Sequence, residues 1–298
     1  MLMYVKMSIH LVPKMLYSFF DFYVKSSIHL SISVLALTVI TYLRLKIEFS
    51  PLILFIIFNS TIITYNFIKF ASTLPYYFFV NNVSIKKIQY LSFFSGILLF
   101  ISLFFATMST ILLGLFISFF CFIYVIPFNR TKTNIRNYSR IKIYIVAFCW
   151  SAVTVLFPLL SEIEIDFITS FLLFIQRFLF VIVCTIPFEI RDLKFDSLKL
   201  KTMPQAFGIK KTKSIAFVLL LVFLFLSFVI NLNEINYIIS DLLIAIIIGC
   251  FVVVSKKNQT KYFSSFWVES VPIFWLLIVM LINYFLESFI TLSFISDL

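Results

Sequence analysis

Residues 236–254 read NYIISDLLIAIIIGCFVVV, and this stretch decides the fold. The hydrocarbon core of a bilayer is about 30 Å thick, which roughly 20 helical residues cross at 1.5 Å each. Nineteen residues with one charge, Asp241, meet that requirement. Working outward, eight further stretches are predicted to do the same: roughly 28–45, 50–70, 88–107, 109–128, 141–160, 166–188, 214–231 and 266–286. The expected fold is an all-α integral membrane protein of nine transmembrane helices. Residues 1–27 are expected to form a cytoplasmic or interfacial segment, and 28–298 a single transmembrane domain.

Composition excludes a soluble domain. Of 298 residues, 62% are hydrophobic and 12% charged, and the mean hydropathy is +1.10. So few charges cannot cover the surface of a soluble fold. Lys6 and Lys14 interrupt the first stretch, which therefore does not read as a signal peptide. Met3, Met7 and Met15 are alternative starts.

Charge placement sets the expected orientation. With the N-terminus inside, the cytoplasmic segments hold Lys6, Lys14 and Lys25, then Lys69, Lys86 and Lys87. Arg130, Lys132, Arg136, Arg140 and Lys142 follow, then seven cations between Arg191 and Lys213, and finally Lys256, Lys257 and Lys261. That is 21 of the 24 Lys and Arg. The outer segments keep Arg44 and Lys46 but collect acids, among them Glu48, Glu164, Glu234 and Asp241. Such a bias follows the positive-inside rule. The expected location is a bacterial inner (cell) membrane, crossed several times, with the C-terminus outside. The net charge of +11 then belongs to short loops facing anionic headgroups or an anionic ligand, not to nucleic acid. No obligatory protein partner is evident. The four cysteines, Cys121, Cys149, Cys184 and Cys250, lie in apolar runs without metal-site spacing. They read as small core hydrophobes.

Chemistry concentrates after the sixth span, in Ile186-Pro187-Phe188-Glu189-Ile190-Arg191-Asp192-Leu193-Lys194-Phe195-Asp196. Asp192 and Asp196 are four apart, so on a helix both carboxylates face one side. Paired carboxylates suit a hard cation such as Mg²⁺, which usually also grips a substrate phosphate. The same spacing is common in solvated loops. Arg177, midway along the sixth span, should face the bundle interior and a partner, either an acceptor group or a structural hydrogen bond. Glu269 is a weaker version of the same case. His10 and His29 are expected to be interfacial.

The run from Asp192 resembles the second aspartate-rich motif of the UbiA family of intramembrane prenyltransferases. Asp192, Asp196, Lys201, Thr202, Pro204 and Gly208 stand in the family's order. Tyr124, Pro127 and Arg130 resemble its Tyr…Pro…basic segment, and Ile141-Lys142-Ile143 the opening of its fifth helix. The first motif departs from the pattern. Asn66 remains, but Phe67, Phe70 and Leu74 stand where carboxylates are expected. The resemblance implies a central apolar chamber opening at the cytoplasmic face, a prenyl diphosphate whose tail lies in it, and a hydrophobic acceptor. It implies Mg²⁺ on Asp192 and Asp196 with Asn66 as a residual ligand, and a diphosphate held by Lys69, Arg136, Arg140, Arg191 and Lys201. Two functions stay open: transfer of the prenyl group to an aromatic or lipid acceptor, or binding of isoprenoid lipids or partners without turnover.

Overall fold

The structure is a computed structural model that describes residues 14–70, 82–125, 139–160, 166–196, 201–232 and 234–296. Within them all regular structure is helical, as expected where lipid offers the backbone no hydrogen-bond partners and each segment must satisfy its own. Ten helices follow in order: α1 (Lys14–Lys25), α2 (Ile28–Leu45), α3 (Pro51–Phe70), α4 (Val83–Leu103), α5 (Met108–Val125), α6 (Ser139–Ser151), α7 (Phe167–Asp192), α8 (Met203–Ile230), α9 (Ile235–Val254) and α10 (Val271–Ser296). A π-helical turn, Ala152–Leu156, carries α6 on to Leu159, and another, Phe263–Val268, leads into α10. Eight of these elements are long and apolar enough to cross a membrane. A ninth apolar helix, Met108–Tyr124, is shorter, and it occupies the place of the fourth predicted span.

Two helices extend past their predicted spans. α7 continues through Pro187 to Asp192, so Asp192 closes a helix and does not sit in a loop. α8 begins eleven residues before the predicted span. Thr202 caps it in a reciprocal capping box with Gln205, and Pro204 occupies its first turn. The helix then breaks at Gly208, whose φ of 78° is a conformation that side chains with a Cβ disfavour. Thr202, Pro204 and Gly208 thus each have a backbone role.

α2 is the spine. Leu37 and Ile40 pack into a core shared with α6–α10, whereas Leu30 and Val34 pack into a second core shared with α3, α5 and α6. Small polar residues let neighbours approach. Ser31, Ser33, Thr38 and Thr41 each return a hydroxyl hydrogen bond to the carbonyl four residues back, so none is left unsatisfied in the interior.

The first core contains a buried charge cluster. Arg44 and Asp241, assigned to the outer segments by charge counting, are both buried and pair at 2.6 Å. Asp241 also accepts from Gln176 Nε2 (2.9 Å), Ser227 Oγ (2.6 Å) and Trp275 Nε1 (3.1 Å), which ties α2, α7, α8, α9 and α10 together. Arg177 faces the interior, as expected. Its Nη2 donates to Thr41 Oγ1 at 3.3 Å, and its guanidinium lies 4.9 Å from the centre of the Trp275 ring. His29, at the start of α2, is buried: its ring nitrogens meet Tyr23 Oη (2.9 Å), the Phe266 carbonyl (3.1 Å) and Ser270 Oγ (3.1 Å). His10 lies outside the described residues.

α1 is pinned to the start of the last span. Asp21 pairs with Lys25 at 2.6 Å and with Lys261, and the Tyr262 hydroxyl donates to it at 2.8 Å. Burial alone would raise the Asp21 carboxyl, but the bonds from Lys25, Lys261 and Tyr262 outweigh it and hold the pKa at about 2.

Candidate functional site

An apolar cavity of about 210 Å³ lies among α2–α6. Along α3 its wall runs from Ile56 to Ile68, thirteen residues with a rise of about 18 Å. Small hydroxyl residues interrupt the wall (Ser60, Thr61, Thr64 and Ser118), and Tyr65 and Trp150 meet edge to face at the same wall. Cys121 and Cys149 face each other across α5 and α6 with sulfurs 3.8 Å apart. Leu103, Thr110 and Phe157 line the end away from Ile68.

Charge gathers where the cavity reaches Ile68, Tyr124 and Ile145. Lys69 follows Ile68 directly, and Lys142 stands one turn before Ile145. Lys142 pairs with Glu189 at 3.3 Å and also feels the charges of Asp192 and Asp196. Glu189, Asp192 and Asp196 are three and then four residues apart, a spacing that puts all three on one side of the end of α7. The helix is continued for one turn beyond Asp192, because the backbone N–H groups of Phe195 and Asp196 both donate to the Asp192 carbonyl, at 2.8 and 2.9 Å. Both aspartates are half-buried.

The remaining predicted residues divide. Arg191 Nε holds Asp192 Oδ1 at 2.8 Å, with its guanidinium over the Phe188 ring. Asn66 is buried and its amide is engaged on both sides: Oδ1 accepts from Ser27 Oγ and Nδ2 donates to Ser92 Oγ, each at 2.9 Å. Lys69 joins the same group, donating to Ser27 Oγ at 2.9 Å and the Lys25 carbonyl at 3.3 Å. Lys69 and Arg191 both lie within electrostatic reach of half-buried Glu269, which links the α3 and α7 sides of the mouth. Lys201 is exposed, in a left-handed conformation (φ 51°) just before the Thr202 cap. Arg177 is not part of the cavity wall. Arg136, the side chain of Arg140, Pro127, Arg130 and Leu74 lie outside the described residues.

Sequence reasoning gave no role to Lys142 or Glu189 and little to Glu269. Glu189 carried a usable signal, since it lies one turn before Asp192. Lys142 and Glu269 come from other helices, and only packing brings them here.

The donor set allows Mg²⁺ on limited terms. Among the described residues no group of three or more His, Cys, Asp or Glu is arranged to hold a metal. Asp192 and Asp196 are the candidate ligands. The carbonyl oxygen of Asn66 already accepts a hydrogen bond. Mg²⁺ usually binds through one or two carboxylates together with substrate phosphates, and two aspartates near Lys142 and Arg191 fit that pattern.

No protein-family model matches the chain, and no curated protein matches it in sequence. A solved structure of a digeranylgeranylglyceryl phosphate synthase in membranes resembles it with a TM-score of 0.53 and 17% identity, over 91% of this chain and 97% of that one. At that identity the likeness is one of fold. This chain is built on the same all-helical, membrane-spanning plan as that synthase.

Proposed function

We propose that the protein is a UbiA-type intramembrane prenyltransferase, acting on a prenyl diphosphate and a hydrophobic acceptor. One observation carries the reading: the apolar cavity is lined by Ile68 and Ile145, which adjoin Lys69 and Lys142 in sequence, and Lys142 pairs with Glu189 near Asp192 and Asp196, an arrangement suited to an isoprenoid tail joined to a diphosphate. Lys69, Lys142 and Arg191 would take diphosphate oxygens, with Lys201, which is exposed, and, on sequence grounds, Arg136 and Arg140 as further candidates. Asp192 and Asp196 would hold Mg²⁺, which supplies positive charge against the negative charge building on a departing diphosphate. Glu189 would keep Lys142 in place, and Ser27 and Asn66 would do the same for Lys69. The largely apolar wall would keep water away from the reacting carbon, and its few hydroxyls would offer an acceptor polar contacts. Arg177, packed between Thr41 and Trp275, reads as scaffold. The mouth is assigned to the cytoplasmic side by the positive-inside bias.

A second reading has its own support. Phe67 and Phe70 stand where the family carries carboxylates, and Asn66 is tied up by two serines. In that reading the cavity holds an isoprenoid lipid and no bond breaks. Purified protein given Mg²⁺, labelled prenyl diphosphate and a panel of aromatic and lipid-alcohol acceptors separates the two. Acceptor-dependent release of diphosphate establishes the transferase. Saturable binding of the labelled diphosphate without product establishes the binding protein, and neither result sinks both.

A further inference from the structure

The outer face where α8 and α9 meet carries a second apolar hollow, a groove of about 520 Å³ remote from the cavity. Its walls follow one stripe on each helix: Phe217, Leu221 and Leu224 on α8, and Leu242, Ile246 and Val253 on α9. Steps of three, four and seven residues keep each set on a single face. From Leu242 to Val253 the groove follows eleven residues, about 17 Å of helix. That is close to half of a bilayer core of about 30 Å, the depth of one leaflet.

The stripe continues into lysines. Lys210 and Lys213 lie seven and four residues before Phe217, and so on the same face of α8. Lys256 and Lys257 follow directly where α9 ends at Val254. Lys213 Nζ donates to the carbonyls of Val253 (2.7 Å) and Ser255 (2.8 Å), which fixes the end of α9 beside α8 and gathers the four lysines at one end of the groove. Among the described residues none of the four pairs with a carboxylate. Lys213 and Lys256 are close enough to repel each other.

We infer that this groove and its lysine end form a binding site for an anionic phospholipid, with an acyl chain along α8 and α9 and the phosphate among Lys210, Lys213, Lys256 and Lys257. A single-leaflet apolar channel ending in cations that have no carboxylate partner among the described residues matches a lipid of that charge in both length and sign. A neutral headgroup would leave the lysines repelling one another. The site does not depend on the prenyltransferase reading, because it shares no residue with the cavity or its mouth.

The test uses the full-length protein, with phosphatidylglycerol and phosphatidylcholine of identical chains. Native mass spectrometry should show one phosphatidylglycerol held about tenfold or more tightly than phosphatidylcholine, the scale expected from several lysines acting on one phosphate. The double variant Lys210→Gln/Lys257→Gln should lose that preference while staying monodisperse. Cys250 lies exposed in the groove and gives an independent readout. In wild type, alkylation at Cys250, located by mass spectrometry, should slow in phosphatidylglycerol membranes, and Cys250→Phe should weaken retention of both lipids by filling the channel. Equal retention of the two lipids, or a preference untouched by the lysine changes, overturns the inference. So does a Cys250–Cys250 disulfide forming readily in phosphatidylglycerol membranes, since the groove would then be covered by a second copy of the chain.

Discussion

The two flanks of α2 follow opposite plans. Toward α3–α6 the helix lines an open cavity, and the charged groups stand at its rim. Toward α7–α10 the interior is filled, and charge sits at the centre, where Asp241 receives hydrogen bonds from four side chains on four helices. A space meant for a ligand is kept by leaving its walls apolar and its charges partly wet. A scaffold that must not move is locked by charges that have nowhere else to go. The contrast makes separable predictions, because damage on one flank should register as stability and damage on the other as binding.

The largest effect is expected at the centre of the solid flank. Asp241→Asn keeps the shape of the side chain but leaves Arg44 buried without its counter-ion. Breaking a buried pair in this way costs about 3–5 kcal/mol. The variant should unfold at much lower denaturant or temperature, or fail to accumulate. Replacing both partners, Arg44→Met with Asp241→Leu, should recover a large part of the loss. A cost below about 1 kcal/mol for the single change would mean that the cluster is not a lock.

The second effect belongs to the mouth. Asp192→Asn or Asp196→Asn should weaken Mg²⁺-dependent binding of a prenyl diphosphate by about a hundredfold, the scale of losing a strong charged contact of ~3 kcal/mol. Both residues are half-exposed at the end of α7, so the melting temperature should barely move. Equilibrium binding and a thermal melt on the same preparation read the two quantities together. A stability loss without a binding loss would assign the pair to the scaffold and erase the contrast between the flanks.

Lys69→Gln should come next, with about a tenfold loss in affinity or turnover for one partly desolvated charge contact of ~1.4 kcal/mol. Lys69 lies between Phe67 and Phe70 in sequence, so in the proposed transferase its charge would stand in for that of a metal ion which the missing carboxylates would otherwise hold. If the loss is confined to kcat, the lysine acts on the charge that develops during reaction. A loss shared by diphosphate affinity places it on the ground state.

How much of this was legible in the sequence differs between the flanks for one physical reason. Span positions, helix class and the sidedness of most charges follow from composition and spacing along one chain. The pairing of Lys46 with Glu234, both assigned to the outer segments, agrees with that sidedness. Partners on separate helices do not follow from spacing. Arg44 and Asp241 each fall near the end of a span, where a charge count naturally files them as loop residues, and only the packing of α2 against α9 shows that they face inward. Asn66 was legible as a polar residue with a purpose, but Ser27 and Ser92, which engage its amide, lie 39 and 26 residues away. The end of α7 was hidden differently. The spacing of Asp192 and Asp196 reads from periodicity, yet the predicted span stopped at 188, four residues before the helix ends at Asp192.

The smallest effect tests whether α1 belongs to the rim of the open flank. Asp21 joins α1 to Lys261 and Tyr262, at the foot of the last span. Its carboxyl titrates at about 2 in the folded protein, against an ordinary value of 3.8. A carboxyl with a depressed folded pKa adds stability above its unfolded pKa, and that stability disappears as pH falls from about 4 toward about 2. The two lysines are about half-exposed and the clamp joins only α1 to the foot of the last span, so the spans should survive the titration and α1 alone should come away. Hydrogen exchange between pH 5 and pH 2.5, corrected for intrinsic rates, should show protection of α1 falling across that window while α2 stays protected. Asp21→Asn should give the unprotected pattern already at pH 5. Lys261→Met should do the same if Lys261 is the main anchor, and should leave protection intact if Lys25 and Tyr262 suffice. Protection of α1 that ignores both pH and Asp21→Asn would mean that its apolar contacts, such as Phe20 against Phe266 at 5.0 Å between ring centres, hold the helix without the ionic clamp.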